Sequence, residues 1–107
     1  MKTLITSKGN TAQASFDQRF ARAAYFCIYH SDTYKTEYLQ NSKAEAEKSV
    51  GSDVAQKVIE MGVERVISGD FGPQAYHLLN EAGVQMVIMP DEEKKIQQIL
   101  RLINPNL

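Results

Sequence analysis

An internal echo limits the folds open to this chain more than any other feature. Glu60-Met61-Gly62-Val63-Glu64-Arg65-Val66-Ile67 is matched by Glu81-Ala82-Gly83-Val84-Gln85-Met86-Val87-Ile88 at a shift of 21 residues. Each copy reads as the end of a helix, a glycine in position to cap it, and a strand of β-branched and apolar residues. A strand, a helix and a second strand in that order demand a parallel pair with a right-handed crossover, because the chain returns beside its predecessor in the same direction only by that route. The second half of the chain is therefore α/β.

The rest of the sequence extends the pattern. Residues 2–6 (KTLIT) form a short strand ending in the turn-rich Ser7-Lys8-Gly9-Asn10. Thr11 to Arg22 carries scattered apolar residues, with room for one helical turn around Phe16 to Phe20. The continuous apolar run at 23–30 (AAYFCIYH) suits a strand covered on both faces, and 34–39 alternates as its hairpin partner. The polar stretch 40–49 reads as a connection with some helix. Val50, Val54, Val58 and Met61 recur at helical spacing and predict a helix over 50–61; the strand 63–68 follows. Pro73 suits the first position of a helix over 73–82, since its missing N–H has no partner to lose there. The strand 84–89 precedes a last helix over 91–103, capped by Asp91 with Glu92 and Glu93 in its first turn. The sum is one domain, 1–107: a three-layer mixed sheet of five strands, the first, fourth and fifth parallel, the hairpin extending one side.

Several function classes fall away. Twelve Lys and Arg against 13 Asp and Glu leave a charge of -1 with neither sign gathered in a block, so a nucleic-acid partner is not expected. No apolar run reaches the roughly 20 residues of a membrane-spanning helix, so no membrane role is expected either. The one cysteine, Cys27, has no partner for an internal disulfide, and cytoplasmic residence is expected. Its place between Phe26 and Ile28 marks it as a core group, and His77 shares a polar helix face with Gln74 and Glu81. No Gly-x-Ser-x-Gly elbow and no P-loop ending is present. The first strand carries no carboxylate for a metal-dependent nuclease, so no catalytic residue is nominated.

A ligand is expected at the carboxyl ends of the parallel strands, where helix N-termini also present free N–H groups. Three loops reach that edge: Ser7 to Thr11, Ser68 to Pro73, and Met89 to Asp91. The first nominates Ser7 and Gly9; the second nominates Ser68, Gly69, Asp70, Phe71 and Gly72. In the second loop, two glycines allow backbone N–H groups to come close to an anion. Phe20 and Arg22 lead into the second strand, and an arginine there suits paired hydrogen bonds to an anion.

The run from Val63 to Ala75 (VERVISGDFGPQA), followed by Leu78-Leu79-Asn80-Glu81-Ala82-Gly83-Val84, resembles the signature of the dinitrogenase iron-molybdenum cofactor biosynthesis family. Arg19-Phe20-Ala21-Arg22-Ala23 is similar to that family's His-Phe-Gly-Arg-Ala stretch, with Arg19 in place of His and Ala21 in place of Gly. The resemblance implies a ribonuclease H-like fold and a non-enzymatic protein that holds or delivers an iron-molybdenum or other metal-sulfur cluster, or its precursor. A donor or acceptor protein for the cluster is implied with it. Carried over to this sequence, the cofactor-facing loops fall on Phe20 and Arg22 and on Gly69 and Gly72; which residues, if any, touch the metal is left open. The competing expectation is a cofactor-free interaction module, monomer or weak homodimer, docking through Tyr25, Tyr29, Tyr34 or Tyr38 of the hairpin.

Overall fold

Strand-forming residues and helix-forming spacings resolve into eight elements in a computed structural model that describes residues 1–46, 50–90 and 93–107. They are β1 (Lys2–Ser7), β2 (Tyr25–His30), β3 (Lys35–Gln40), α1 (Gly51–Glu60), β4 (Arg65–Ser68), α2 (Pro73–Glu81), β5 (Gln85–Ile88) and α3 (Ile96–Ile103). The five strands make one mixed sheet in the order β3-β2-β1-β4-β5. β2 runs antiparallel to both neighbours, whereas β1, β4 and β5 are mutually parallel. The two echoed segments pair one residue away from their sequence match, Val66 beside Met86 and Ile67 beside Val87. Their glycines, Gly62 and Gly83, adopt the same left-handed φ of 76°, which ends each helix and turns the chain into its strand.

Alternation along the strands divides the core in two. One face collects Leu4, Phe26, Ile28 and Val66 with Val54, Ala55 and Val58 of α1 and Ala75 and Leu79 of α2. The other collects Ile5, Cys27, Tyr29 and Ile67 with Ile96, Ile99 and Leu100 of α3. The helices therefore cover both faces, and β1 lies at the centre with Thr3, Thr6 and Ser7 fully buried among apolar neighbours.

The observed elements depart from the expected ones by more than one residue at β2, at β4, in the Phe16–Phe20 stretch and at the last helix. β2 begins at Tyr25 and β4 at Arg65, two residues inside the stretches read from composition. No helical turn forms between Phe16 and Phe20; that stretch is irregular and makes isolated bridges to Ser7 and Asp70. The last helix starts at Ile96 instead of Asp91. The reason is visible before it: Lys94 O accepts the Phe16 N–H, Ser15 and Lys95 form a bridge, and the Ile96 and Gln97 N–H groups donate to Ala14 and Ala12. Backbone groups engaged across the molecule are lost to a helix ladder, and the Lys95 N–H is instead capped by Gln98 Oε1 at 2.7 Å. The expected caps Asp91 and Glu92, and residues 47–49 of the polar connection, lie outside the described residues.

Candidate functional site

The loop between β1 and β2 is built around one buried carboxylate. Asp17 is fully buried and is anchored to β1, its N–H donating to Thr6 O at 3.0 Å. Its carboxylate accepts three N–H groups from Arg19: the backbone N at 3.0 Å, Nε at 3.0 Å and Nη2 at 2.9 Å. This is the side-on fork, in which two parallel bonds fix the guanidinium plane. The Arg19 side chain is still 61% exposed, so a buried anion holds a solvent-facing cation.

The same loop is laced to the one after β4. Gly69 N–H donates to Gln18 O at 3.0 Å, Phe20 N–H to Asp70 O at 3.0 Å, and Ser68 Oγ to Gln18 O at 3.3 Å, while Thr6 Oγ1 donates to Ser68 Oγ at 2.8 Å. Gln18 Nε2 also donates to the carbonyl of Pro90. The contact is so close that a Cβ on Gly69 would lie 2.7 Å from Gln18 Cβ.

Beyond this seam the two loops open into a cavity of about 430 Å³ lined by Arg19, Phe20, Ala21, Arg22, Val50, Gly51, Asp70, Phe71 and Gly72. Phe20 and Phe71 stack with centroids 5.4 Å apart and planes inclined by 28°, joining the loops through their side chains. Arg22 Nη1 donates to the carbonyl of Ala46. The starts of α1 and α2 both reach the cavity, through Val50 with Gly51 and through Gly72, and neither N-cap residue supplies a side-chain hydrogen bond. The start of α1 and the residue before α2 thus border the same space as Arg19 and Arg22, which places the positive ends of two helix dipoles near it, although the first residue of α2, Pro73, has no N–H to offer. Gly72 holds φ 72° and ψ 159°, a region open essentially to glycine. Its own N–H is turned back onto Asp70 Oδ1 at 3.2 Å.

Of the residues nominated from sequence, Phe20, Arg22, Asp70, Phe71 and Gly72 line this cavity together. Gly69 stands at its back with its N–H committed to Gln18, and it borders a neighbouring groove of about 400 Å³ with Pro73, Tyr76 and Ile88. Ser68 is buried in the Thr6 network, and Ser7 closes a local turn, its Oγ donating to Gly9 O at 2.7 Å. Sequence reasoning missed Asp17, Arg19, Val50 and Gly51 as parts of the site. An Asp two residues before an Arg was the available signal for the fork; the apolar spacing of α1 carries no sign of where its N-terminus points.

Elsewhere the titratable groups serve structure. Burial on the α3 side pushes the Cys27 thiol up to about 12, partly offset by the neighbouring Tyr38 hydroxyl. His30 pairs with Glu37 across the hairpin at 2.5 Å and exposed His77 with Glu81 at 3.5 Å. Tyr29 is buried in the core, which removes it from the docking surface expected of the hairpin tyrosines, whereas Tyr34 is exposed. Among the described residues, no cluster of three or more His, Cys, Asp or Glu is disposed to hold a metal ion. No helix among them is long and apolar enough to cross a membrane.

The family described as "Dinitrogenase iron-molybdenum cofactor" matches residues 1–105. The chain belongs to that family. Two solved structures share the fold of this family member over nearly its whole length. The apo form of the orange protein from Desulfovibrio gigas superposes with a TM-score of 0.84 at 25% identity, covering 97% of this chain and 88% of that one. A putative NifB protein from Thermotoga gives a TM-score of 0.80 at 30% identity, covering 97% and 87%. No curated protein matches the sequence of this family member.

Proposed function

We propose that this protein carries a preassembled, anionic metal-sulfur cluster, of the iron-molybdenum type or a precursor of it, in the crevice between the β1–β2 and β4–α2 loops. The observation that carries this reading is the convergence of Arg19, Arg22 and two helix starts without side-chain caps on one cavity of about 430 Å³. That lining offers N–H donors and aromatic faces, which suit the sulfide and oxo acceptors on the surface of a finished cluster. Asp70 is the one lining residue with a metal-binding side chain, and its Oδ1 already accepts the Gly72 N–H. The lining thus fits a cluster that brings its own ligands better than a bare ion awaiting protein ligands. A cargo of this kind calls for a donor and an acceptor protein, and family membership and the likeness to a putative NifB protein favour that setting.

We read the protein as non-enzymatic, because the crevice groups position and neutralise an anion and none is paired as nucleophile and base. The reduced Cys27 supports a cytoplasmic setting. The strand order β3-β2-β1-β4-β5, with β2 antiparallel to its neighbours, supports the ribonuclease H-like reading of the fold. The test is anaerobic incubation with iron, molybdate and sulfide, followed by gel filtration and metal analysis. Metal co-eluting with the protein in a fixed ratio supports the carrier; protein eluting metal-free under all conditions removes it.

One observation favours the alternative of a cofactor-free homodimer: β3 is an edge strand with Tyr34 and Leu39 exposed beside it. Light scattering that finds a monomer at high concentration would remove that reading.

A further inference from the structure

Resting on the carrier reading above, we propose that Asn41 is a positioning residue of the crevice, holding the Ala21–Arg22 wall in place before any cargo arrives. Ala21 and Arg22 both line the cavity. The stretch that carries them, residues 21–24, belongs to no helix or strand, so no ladder fixes its shape. Among the described residues, no backbone N–H reaches the carbonyls of Ala21 and Ala23. Asn41, just past the end of β3, reaches both: its Nδ2 donates to them at 2.8 and 2.9 Å, and its own backbone N–H donates to Ala24 O at 2.9 Å. One residue thus ties three carbonyls of the wall.

Asn41 is only 6% exposed, and both ends of its amide are used. The two amide hydrogens face the two carbonyls, while Oδ1 accepts the Lys43 N–H at 3.0 Å and curls the chain back beside the wall. Further along the same turn, Ala46 O accepts Arg22 Nη1, and Ala46 packs against the α1–α2 side of the core. The polar connection after β3 is therefore the outer support of the crevice: Asn41 fastens the backbone of the wall, and Ala46 receives one of its side chains. A role in overall stability alone predicts that loss of the amide loosens the whole fold evenly. A positioning role predicts loosening confined to the wall.

N41D separates the two. It keeps the shape of the side chain, removes both donors and sets an anion against two carbonyl oxygens. Native-state amide exchange of the full chain is compared at two wall positions, Phe20 and residue 41, and at Leu4 and Ile5 of the central strand, which report global opening. Once the change at Leu4 and Ile5 is divided out, exchange about tenfold faster at the two wall positions is expected. Equal acceleration at all four positions overturns the proposal.

The consequence for the cargo is read with the cluster reconstituted anaerobically from iron, molybdate and sulfide. Affinity about tenfold lower is expected for folded N41D, seen as metal lost on gel filtration at a dilution that the wild type withstands. Ile99→Ala, in the core on the α3 face, controls for lowered stability and is expected to retain metal as the wild type does. Metal lost equally by Ile99→Ala overturns the inference. If thermal melting shows that N41D does not fold, N41A takes its place with the same expectations. A wild-type protein that retains no metal at all defeats the carrier reading and this inference with it, whereas wild-type loading that the Asn41 variant matches defeats this inference alone.

Discussion

Gly69 and Gln18 touch backbone to backbone: a Cβ on Gly69 would sit 2.7 Å from Gln18 Cβ and 2.9 Å from Gln18 Cα, while the Gly69 N–H donates to Gln18 O. This contact makes the two walls of the crevice one rigid unit. Gly69→Ala forces a shift of main chain, because Cα is among the atoms met. Overpacking of this kind costs about 1–3 kcal/mol. A lowered urea midpoint is expected, and wild-type stability in that variant would show that the seam is slack.

Gly72 differs from Gly69 in what limits it. Nothing lies within 4 Å of where its Cβ would be, yet φ is 72° with ψ 159°. Gly72→Ala therefore carries pure backbone strain of about 1–3 kcal/mol, with no clash to relieve. Denaturant melts that show a loss in this range, accompanied by amide shifts at the start of α2, are expected.

Phe20 is fully buried, stacks on Phe71 and belongs to the α1–α2 side of the core. Phe20→Ala is expected to cost about 3–5 kcal/mol, since it opens a cavity beneath the crevice floor. A loss below about 1 kcal/mol, measured by urea unfolding, would mean that Phe20 is a surface platform rather than a core residue.

The sequence announced the scaffold and half of the site. The echo around Gly62 and Gly83 gave the parallel strands, and Phe20, Arg22 and the Asp70-Phe71-Gly72 turn, nominated from chain position, do converge on one cavity. What stayed illegible depends on partners far apart in the chain. The loop at 12–20 has no period to read, because many of its backbone groups are satisfied by distant residues such as Lys94, Thr6 and Asp70. The same pairing delays α3 to Ile96 although its apolar stripe begins no earlier. Tyr29 read as surface because tyrosine suits both settings; its place in the register beside Thr3 of the central strand decided for the core.

Alkali is expected to weaken the fold through the β2–β3 pair Cys27 and Tyr38. Burial raises the Cys27 thiol from its ordinary 9.0 to about 12, and burial followed by the neighbouring Cys27 raises the Tyr38 phenol from its ordinary 10.0. Both folded-state values lie above the unfolded ones, so the unfolded chain loses these protons first. The stabilisation is fully present below pH 9 and is lost as pH rises toward 12. The urea midpoint is expected to drop between pH 8 and pH 10, in the lower part of that window, and to drop less in Cys27→Ala. Equal pH dependence in both proteins would clear Cys27 of the effect.

The most direct test of the carrier account is where the cluster sits. Amide shifts of the uniformly labelled protein, recorded anaerobically as the cluster reconstituted from iron, molybdate and sulfide is added, report this residue by residue. The account predicts saturable changes at Arg19 to Arg22, Gly51 and Asp70 to Gly72, the residues that line the cavity. Changes confined to the β2–β3 hairpin, or none at any concentration, would contradict it.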